Sequence, residues 1–178
     1  MKNYYTPTEY KELLKHMTIL CDTRENTNQH ILDYFTEQGI TYEKRALKTG
    51  DYSFKLSPCP DLGFSRDAYF TDVLAIERKN SVNEIAGNFV EKDGRFMREL
   101  GRMTYIQNVF IIVENDSLND IIDGNYRTKI DSKALLRTLI TTEKRAGFHL
   151  HFIDRHHTGY LIYELCKSVL DNYIMRSK

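Results

Sequence analysis

Three places in this 178-residue chain bring acidic side chains to the end of an extended or apolar run. Leu20-Cys21 hands over to Asp22-Thr23-Arg24-Glu25, the turn Lys48-Thr49-Gly50 ends in Asp51, and Val73-Leu74-Ala75-Ile76 runs straight into Glu77-Arg78-Lys79. Carboxylates gathered at neighbouring strand ends are what a hard divalent cation requires, because magnesium prefers oxygen ligands in near-octahedral geometry and keeps several waters. Such an ion polarises a phosphodiester, lowers the pKa of a bound water and stabilises charge on the departing oxygen. Alternate side chains of a strand share a face, so Glu77 and Lys79 emerge together while Arg78 points the other way. Lys79 would then orient or help activate the attacking water. Taken singly these fragments say little, since charge triplets at strand ends are usually solvated caps and Gly-Asp usually marks a turn. Their joint occurrence is what points to chemistry.

Strands must display these residues and helices must hold the strands. Thr6-Pro7-Thr8-Glu9 is a capped helix start, which predicts a helix over 7–16 and a short N-terminal helical appendage, residues 1–17, ahead of a main domain at 18–178. A strand over 18–21 and an amphipathic helix over 26–38 carrying Ile31, Leu32 and Phe35 come next. Residues 40–47 look extended, and the strict alternation of 52–56 predicts a half-exposed strand. The stretch 69–79 is expected to pair with 50–56 antiparallel after a long connection, and its doubly apolar start marks an interior strand.

A helix is predicted to leave from Ser81, with Glu84 at the capping-box spacing. Asp93-Gly94 interrupts it, and a helical pattern resumes over 95–100 toward Tyr105. A buried strand over 109–113, a short helix near 118–122, a helix from Ser132 to Gly147, a strand over 148–153 and a closing helix over 158–173 complete the chain. Helices and strands interleave throughout, which predicts an α/β domain with a central mixed β-sheet flanked by helices on both faces.

Lysine plus arginine and aspartate plus glutamate number 25 each, so any nucleic-acid surface must be local. One such excess lies at 127–145, where Arg127, Lys129, Lys133, Arg137, Lys144 and Arg145 face only Asp131 and Glu143. It could track phosphates, or be an ordinary solvated helix face. The longest apolar run, 109–113, is far short of the ~20 residues of a membrane span. Residues 1–5 lack a signal-peptide core, and the expected setting is cytoplasmic, with no membrane partner. Cys21, Cys59 and Cys166 form no Cys-x-x-Cys pair and read as reduced thiols. His149, His151, His156 and His157 lack neighbouring carboxylates or cysteines at ligand spacing and read as surface or loop residues. No phosphate-cradling Gly-x-x-x-x-Gly-Lys-Ser/Thr occurs.

Several of these stretches, in order, resemble the XPF-type structure-specific endonuclease domain of the PD-(D/E)XK nuclease superfamily. Leu20 to Glu25 is similar to that family's first strand and its Asp-x-Arg-Glu; Gly50-Asp51-Tyr52 resembles its Gly-Asp-Tyr; Ile76-Glu77-Arg78-Lys79 resembles its Glu-Arg-Lys. Gly94-Arg95-Phe96 is similar to its arginine-bearing helix start, and the closing helix, strand and helix keep its order, so the resemblance covers roughly 18–174.

The resemblance implies a restriction-endonuclease-like nuclease core that hydrolyses DNA phosphodiesters with Mg2+ (or Mn2+). It makes Asp51, Glu77 and Asp22 the metal ligands, adds Glu25 to the acidic cluster, and gives Lys79 the attacking water. Arg24, Arg78 and Arg95 would face phosphates or order the site, with Arg137 of the basic stretch also on DNA. The family implies branched, flap or junction DNA as substrate and a homodimer, for which the region 132–174 is the expected surface. The alternatives are a catalytically silent DNA-binding or scaffold partner and a sequence-specific restriction-type nuclease. Two departures stand out. Asn83 occupies the position where the family usually has aspartate, with Glu84 beside it as substitute ligand or helix cap. The family's tandem helix-hairpin-helix module is not found by residue 178, so DNA affinity is expected from the nuclease domain, a dimer partner or another protein.

Overall fold

A computed structural model describes residues 4–91 and 94–175. Seven strands form one mixed sheet: β1 (Met17–Cys21), β2 (Tyr42–Lys44), β3 (Tyr52–Leu56), β4 (Ala68–Tyr69), β5 (Leu74–Lys79), β6 (Asn108–Glu114) and β7 (Phe148–Ile153). Their order is β2-β1-β3-β5-β6-β7, with β4 pairing the far end of β3. β1 and β2 run parallel, β3 lies antiparallel between β1 and β5, and β5, β6 and β7 are parallel. The fold class read from the interleaved pattern is therefore the one observed.

The two sheet faces carry separate cores. One is covered by α1 (Pro7–Lys15), α2 (Gln29–Glu37) and α7 (Thr158–Met175), with Ile31, Phe35, Ile162, Cys166 and Leu170 packed on Ile19, Phe54 and Ile76. The other is covered by α3 (Val82–Val90), α4 (Arg95–Met103), α5 (Leu118–Asp123) and α6 (Ser132–Ala146), through Ile85, Phe96, Leu100, Leu135 and Leu139 on Val109, Ile111 and Val113. β5 and β6 are apolar on both faces because each face meets helices, the usual cause of continuous hydrophobic runs in parallel strands.

Three expectations change. The N-terminal helix does not stand apart: Leu13 is fully buried in the first core, and Tyr5 donates to the Leu62 carbonyl at 2.8 Å. β3 is interior rather than half-exposed; Ser53 is buried by donating its hydroxyl to the Leu74 carbonyl at 2.9 Å, which removes the cost of enclosing it. The apolar residues of 132–174 do not overflow into one shared surface, because α6 and α7 cover opposite sides of the sheet. The predicted helix interruption at Asp93 lies outside the described residues, while Gly94 caps α4 with φ at 58°.

All three cysteines are buried and unpaired. His149 and His151 sit against Phe110, their ring centroids 5.5 and 5.8 Å away. Among the described residues no helix is long and apolar enough to cross a membrane.

Candidate active site

β5 divides its charged end between its two sides. On one, Lys79 Nζ donates to Glu77 Oε1 at 2.7 Å, with both residues buried. Lys79 also lies 3.6 Å from Glu84 Oε1 and 5.0 Å above the centre of the Phe96 ring. Asp51 reaches the same place from the start of β3. The pairing of Tyr52 with Ile76 sets residue 51 opposite residue 77, and two bonds lock it there. Asp51 N–H donates to the Ile76 carbonyl at 2.8 Å, and Arg78 N–H donates to Asp51 Oδ2 at 2.8 Å.

Gly50 makes that approach possible. Its φ is +74°, and a Cβ there would stand 3.1 Å from the Ile76 carbonyl oxygen and 3.2 Å from Ala75 Cβ. Only glycine combines the left-handed turn with so close a backbone contact.

The electrostatics describe two close carboxyls whose burial and mutual repulsion outweigh the one ammonium beside them. Burial, followed by the neighbouring Glu77 charge, pushes the Asp51 carboxyl well above the ordinary carboxylate range. Burial also pushes Glu77 up, and Glu99 adds to it, more than the Lys79 ammonium offsets. For Lys79 the balance runs the other way. Loss of water is the largest influence and acts downward, but Glu77, Glu84 and Asp51 together outweigh it and leave the amine held above its usual value. Lys79 is thus a fixed cation and hydrogen-bond donor rather than a proton acceptor.

Each carboxylate commits one oxygen, Asp51 Oδ2 to the Arg78 amide and Glu77 Oε1 to Lys79, and among the described residues Asp51 Oδ1 and Glu77 Oε2 accept nothing. No three histidine, cysteine, aspartate or glutamate side chains among the described residues converge into a ready metal cage. Two adjacent hard oxygen donors, one on a buried and one on a partly buried residue, fit an ion such as magnesium or manganese, which keeps most of its own waters.

Asp22 departs from the ligand role expected of it, and Glu25 from the acidic cluster. Asp22 is fully buried and both its oxygens are taken: Oδ1 by the Arg24 amide at 2.7 Å and Arg24 Nε at 2.8 Å, Oδ2 by Arg24 Nη2 at 3.0 Å and the Leu47 amide at 2.7 Å. Burial alone would raise its pKa, but these bonds hold it below the usual range. Its position is that of a clamp on Arg24 and the 45–49 segment. Glu25 turns to the other side of β5, where its Oε1 meets Arg78 Nη1 at 3.3 Å.

Arg78 is corrected in the same way. Its side chain is 2% exposed, and its Nη2 donates to Glu114 Oε2 at 2.6 Å; Glu114, fully buried, also meets His30 Nε2 at 2.8 Å. Burial opposes the ionised form of Glu114, but the bonds from Arg78 and His30 hold its carboxyl low. Arg78 therefore orders the strand ends from behind and does not face DNA.

Of the remaining arginines, Arg24 lies at the mouth of the site, within reach of the Asp51 and Glu99 charges. Arg95 lines the cleft itself, a cavity of about 230 Å³ shared with Lys79, Glu84, Phe96 and Glu99. Arg137 belongs to neither; it is on the outer surface of α6 beside Leu136 and Ile140.

Asn83 does not enter the cleft, since its Oδ1 accepts the Arg127 amide at 2.7 Å. Of the two roles weighed for Glu84 the contacts fit the cap: Oε2 accepts the Asn80 amide at 2.8 Å, while Oε1 lies 3.6 Å from Lys79. Sequence reasoning missed Glu99. The signal was its spacing, four residues after Arg95 and so on the same helix face.

A family model described as the ERCC4 domain matches residues 21–165. Among solved structures, XPF from Aeropyrum pernix is 21% identical, with a TM-score of 0.61 over 88% of this chain and 69% of that one. XPF from the same organism in complex with DNA is likewise 21% identical, with a TM-score of 0.62 over 87% of this chain and 66% of that one. Curated protein sequences yield no match. The chain belongs to the ERCC4 domain family and has the fold of the XPF-type nuclease domain.

Proposed function

We propose that this chain is a divalent-metal-dependent DNA endonuclease that hydrolyses phosphodiester bonds, with magnesium or manganese held by Asp51 and Glu77. The observation that carries this reading is the convergence of Asp51, Glu77 and Lys79 at two paired strand ends, with Lys79 lining the adjoining cleft. When bound, the metal supplies Lewis acidity toward the phosphate and a more acidic water.

The chain's own residues do the rest. The Asp51 carboxylate is aimed by the Arg78 amide, and Glu77 is held by Lys79, so neither must reorganise on binding an ion. The Lys79 ammonium also stands where a water bonded to Glu77 would be oriented and where charge developing on phosphate would be stabilised. Arg24 and Arg95 at the cleft margin offer cations to a phosphate backbone. Membership of the ERCC4 family, and a structural relative solved in complex with DNA, support DNA as the polymer.

A preference for branched DNA and a homodimer extend the same proposal. The outer face of α6, where Ile140 stands 56% exposed beside Leu136 and Arg137, is the surface of 132–174 left for a second copy. The test is cleavage of labelled flap, fork, four-way junction and linear duplex with magnesium or manganese, alongside Asp51→Ala and Glu77→Ala. Metal-dependent cutting lost in both variants is expected. Cutting that persists undiminished in both, or that no metal supports, overturns the assignment, and a strict monomer by sedimentation at micromolar concentration overturns the dimer.

A further inference from the structure

Beside the catalytic cleft lies a second concavity of about 460 Å³ whose lining has no part in the chemistry above. Its walls are the segment 45–49, the start of the β4–β5 connection, and the turn after α4. Arg45, Lys48 and Arg102 line it against a single carboxylate, Asp72, and two tyrosines, Tyr69 and Tyr105, complete it. Tyr105 is 91% exposed, the most exposed of the large apolar side chains among the described residues. Tyr69 is prepared differently: the Arg45 guanidinium lies 4.6 Å over its ring and donates to its hydroxyl at 3.0 Å.

Two features join this concavity to the cleft. Along the chain, Lys48 is three residues from Asp51, so their Cα atoms are at most ~11 Å apart. Along α4, Arg95 and Glu99 line the cleft while Arg102, one turn on, lines the concavity, so one helix face borders both. The wall is also rigid. Leu47 is fixed by its amide to Asp22 Oδ2 and by its carbonyl to Arg24 Nη2, and the Arg45 amide bonds to the Cys21 carbonyl at 2.8 Å.

Cations beside an exposed aromatic face, here that of Tyr105, are what an unpaired nucleic-acid strand requires, since a base can stack while its backbone is neutralised. A paired duplex hides its base faces and would use only the cations. Resting on the nuclease reading above, we propose that this concavity is a single-strand subsite, in which Tyr105 stacks an unpaired base one to three nucleotides from the scissile phosphate while Arg45, Lys48 and Arg102 hold its backbone.

The test is equilibrium binding, in metal-free buffer, of a forked DNA with one single-stranded arm and of a fully paired duplex of equal length. The fork carries 2-aminopurine at successive arm positions next to the junction. Stacking by a tyrosine predicts that one position quenches on binding, that Tyr105→Ala weakens fork binding by roughly 5- to 150-fold, and that Tyr105→Phe restores it. Duplex affinity should be unchanged by either substitution. Arg102→Ala should lower the dependence of log affinity on log salt by about 0.7 for the fork.

Equal loss on fork and duplex, unaltered affinity in Tyr105→Ala, or no quenched position would each overturn the subsite. The nuclease reading is judged separately, by whether wild-type protein cuts DNA with metal. Tyr105-dependent fork binding without cutting sustains the subsite and removes the nuclease. Cutting with Tyr105→Ala indistinguishable from wild type does the reverse.

Discussion

Replacing Arg78 with methionine removes the cation between Glu25 and Glu114 while keeping much of the volume. Arg78 is 2% exposed at the side chain and Glu114 is fully buried, so the loss is not screened by solvent as a surface pair would be. Breaking a buried pair from one side leaves an uncompensated charge and costs about 3–5 kcal/mol. For a chain of this size each kcal/mol moves the melting temperature by roughly 2–4 °C, which gives a fall of about 6–20 °C. Urea unfolding of Arg78→Met, Glu114→Gln and the double variant measures it. The double variant should recover part of the loss, because neutral glutamine no longer strands a charge. Binding of DNA by folded Arg78→Met should keep its salt slope, whereas a lost phosphate contact would lower it by about one. A single-variant loss under ~1 kcal/mol, strictly additive costs in the double variant, or a reduced salt slope would refute the assignment of Arg78 as an internal tie.

Removing the negative pair should act in the opposite direction on stability. Because the folded pKa values of Asp51 and Glu77 are raised, each adds stability at low pH that is lost as pH rises through the folded value. Asp51→Asn, which strands no cation because among the described residues Asp51 accepts only the Arg78 amide, should therefore abolish cutting yet stabilise the metal-free protein by about 0.5–2 kcal/mol at pH 8, with little gain at pH 4; thermal scans at both pH values decide, and destabilisation at pH 8 contradicts it. Asp22 and Glu114, whose carboxyls are held low, stabilise the fold above the ordinary carboxylate range, and that contribution should disappear as pH falls through their folded values. Acid titration of Asp22→Asn should then show a shallower loss of stability than wild type. Lys79→Met should cost about 10²–10³ in kcat with DNA binding nearly intact, a split read by single-turnover cleavage. Gly50→Ala should lose about 1–3 kcal/mol and most activity, since the turn that delivers Asp51 cannot close; unchanged stability would show that the turn relaxes.

The elements around β5 were legible because their signals are local. Alternation alone placed Glu77 with Lys79 and Arg78 opposite, and capping residues at Thr6 and Ser81 marked helix starts that the structure keeps. What failed depended on contacts distant in sequence or on competition for a side chain. Asp22 looked like a free ligand until Arg24 and Leu47 claimed both its oxygens. Glu99 had only its spacing from Arg95 to mark it, since its relevance comes from how α4 lies over the sheet. The alternation of β3 predicted a wet face, yet its neighbours on both sides and a hydroxyl bonded to Leu74 enclose it. The expected dimer surface over 132–174 took both helices together, and topology puts α6 and α7 on opposite sides of the sheet.

The separation of charges across β5 has a consequence for how this fold tolerates change over time. The groups that would perform the reaction and the ion pairs that brace the strand ends occupy alternate positions of one short segment and share no side-chain partner. Substitutions at Glu77 or Lys79 can thus erase activity without loosening the scaffold, and such a descendant would inherit an intact domain free for other work. A deletion of one residue inside β5 is the opposite case. It would exchange the two sides, bury the reactive pair in the brace and aim the brace at the cleft, so the strand is held more tightly in length than at its reactive positions.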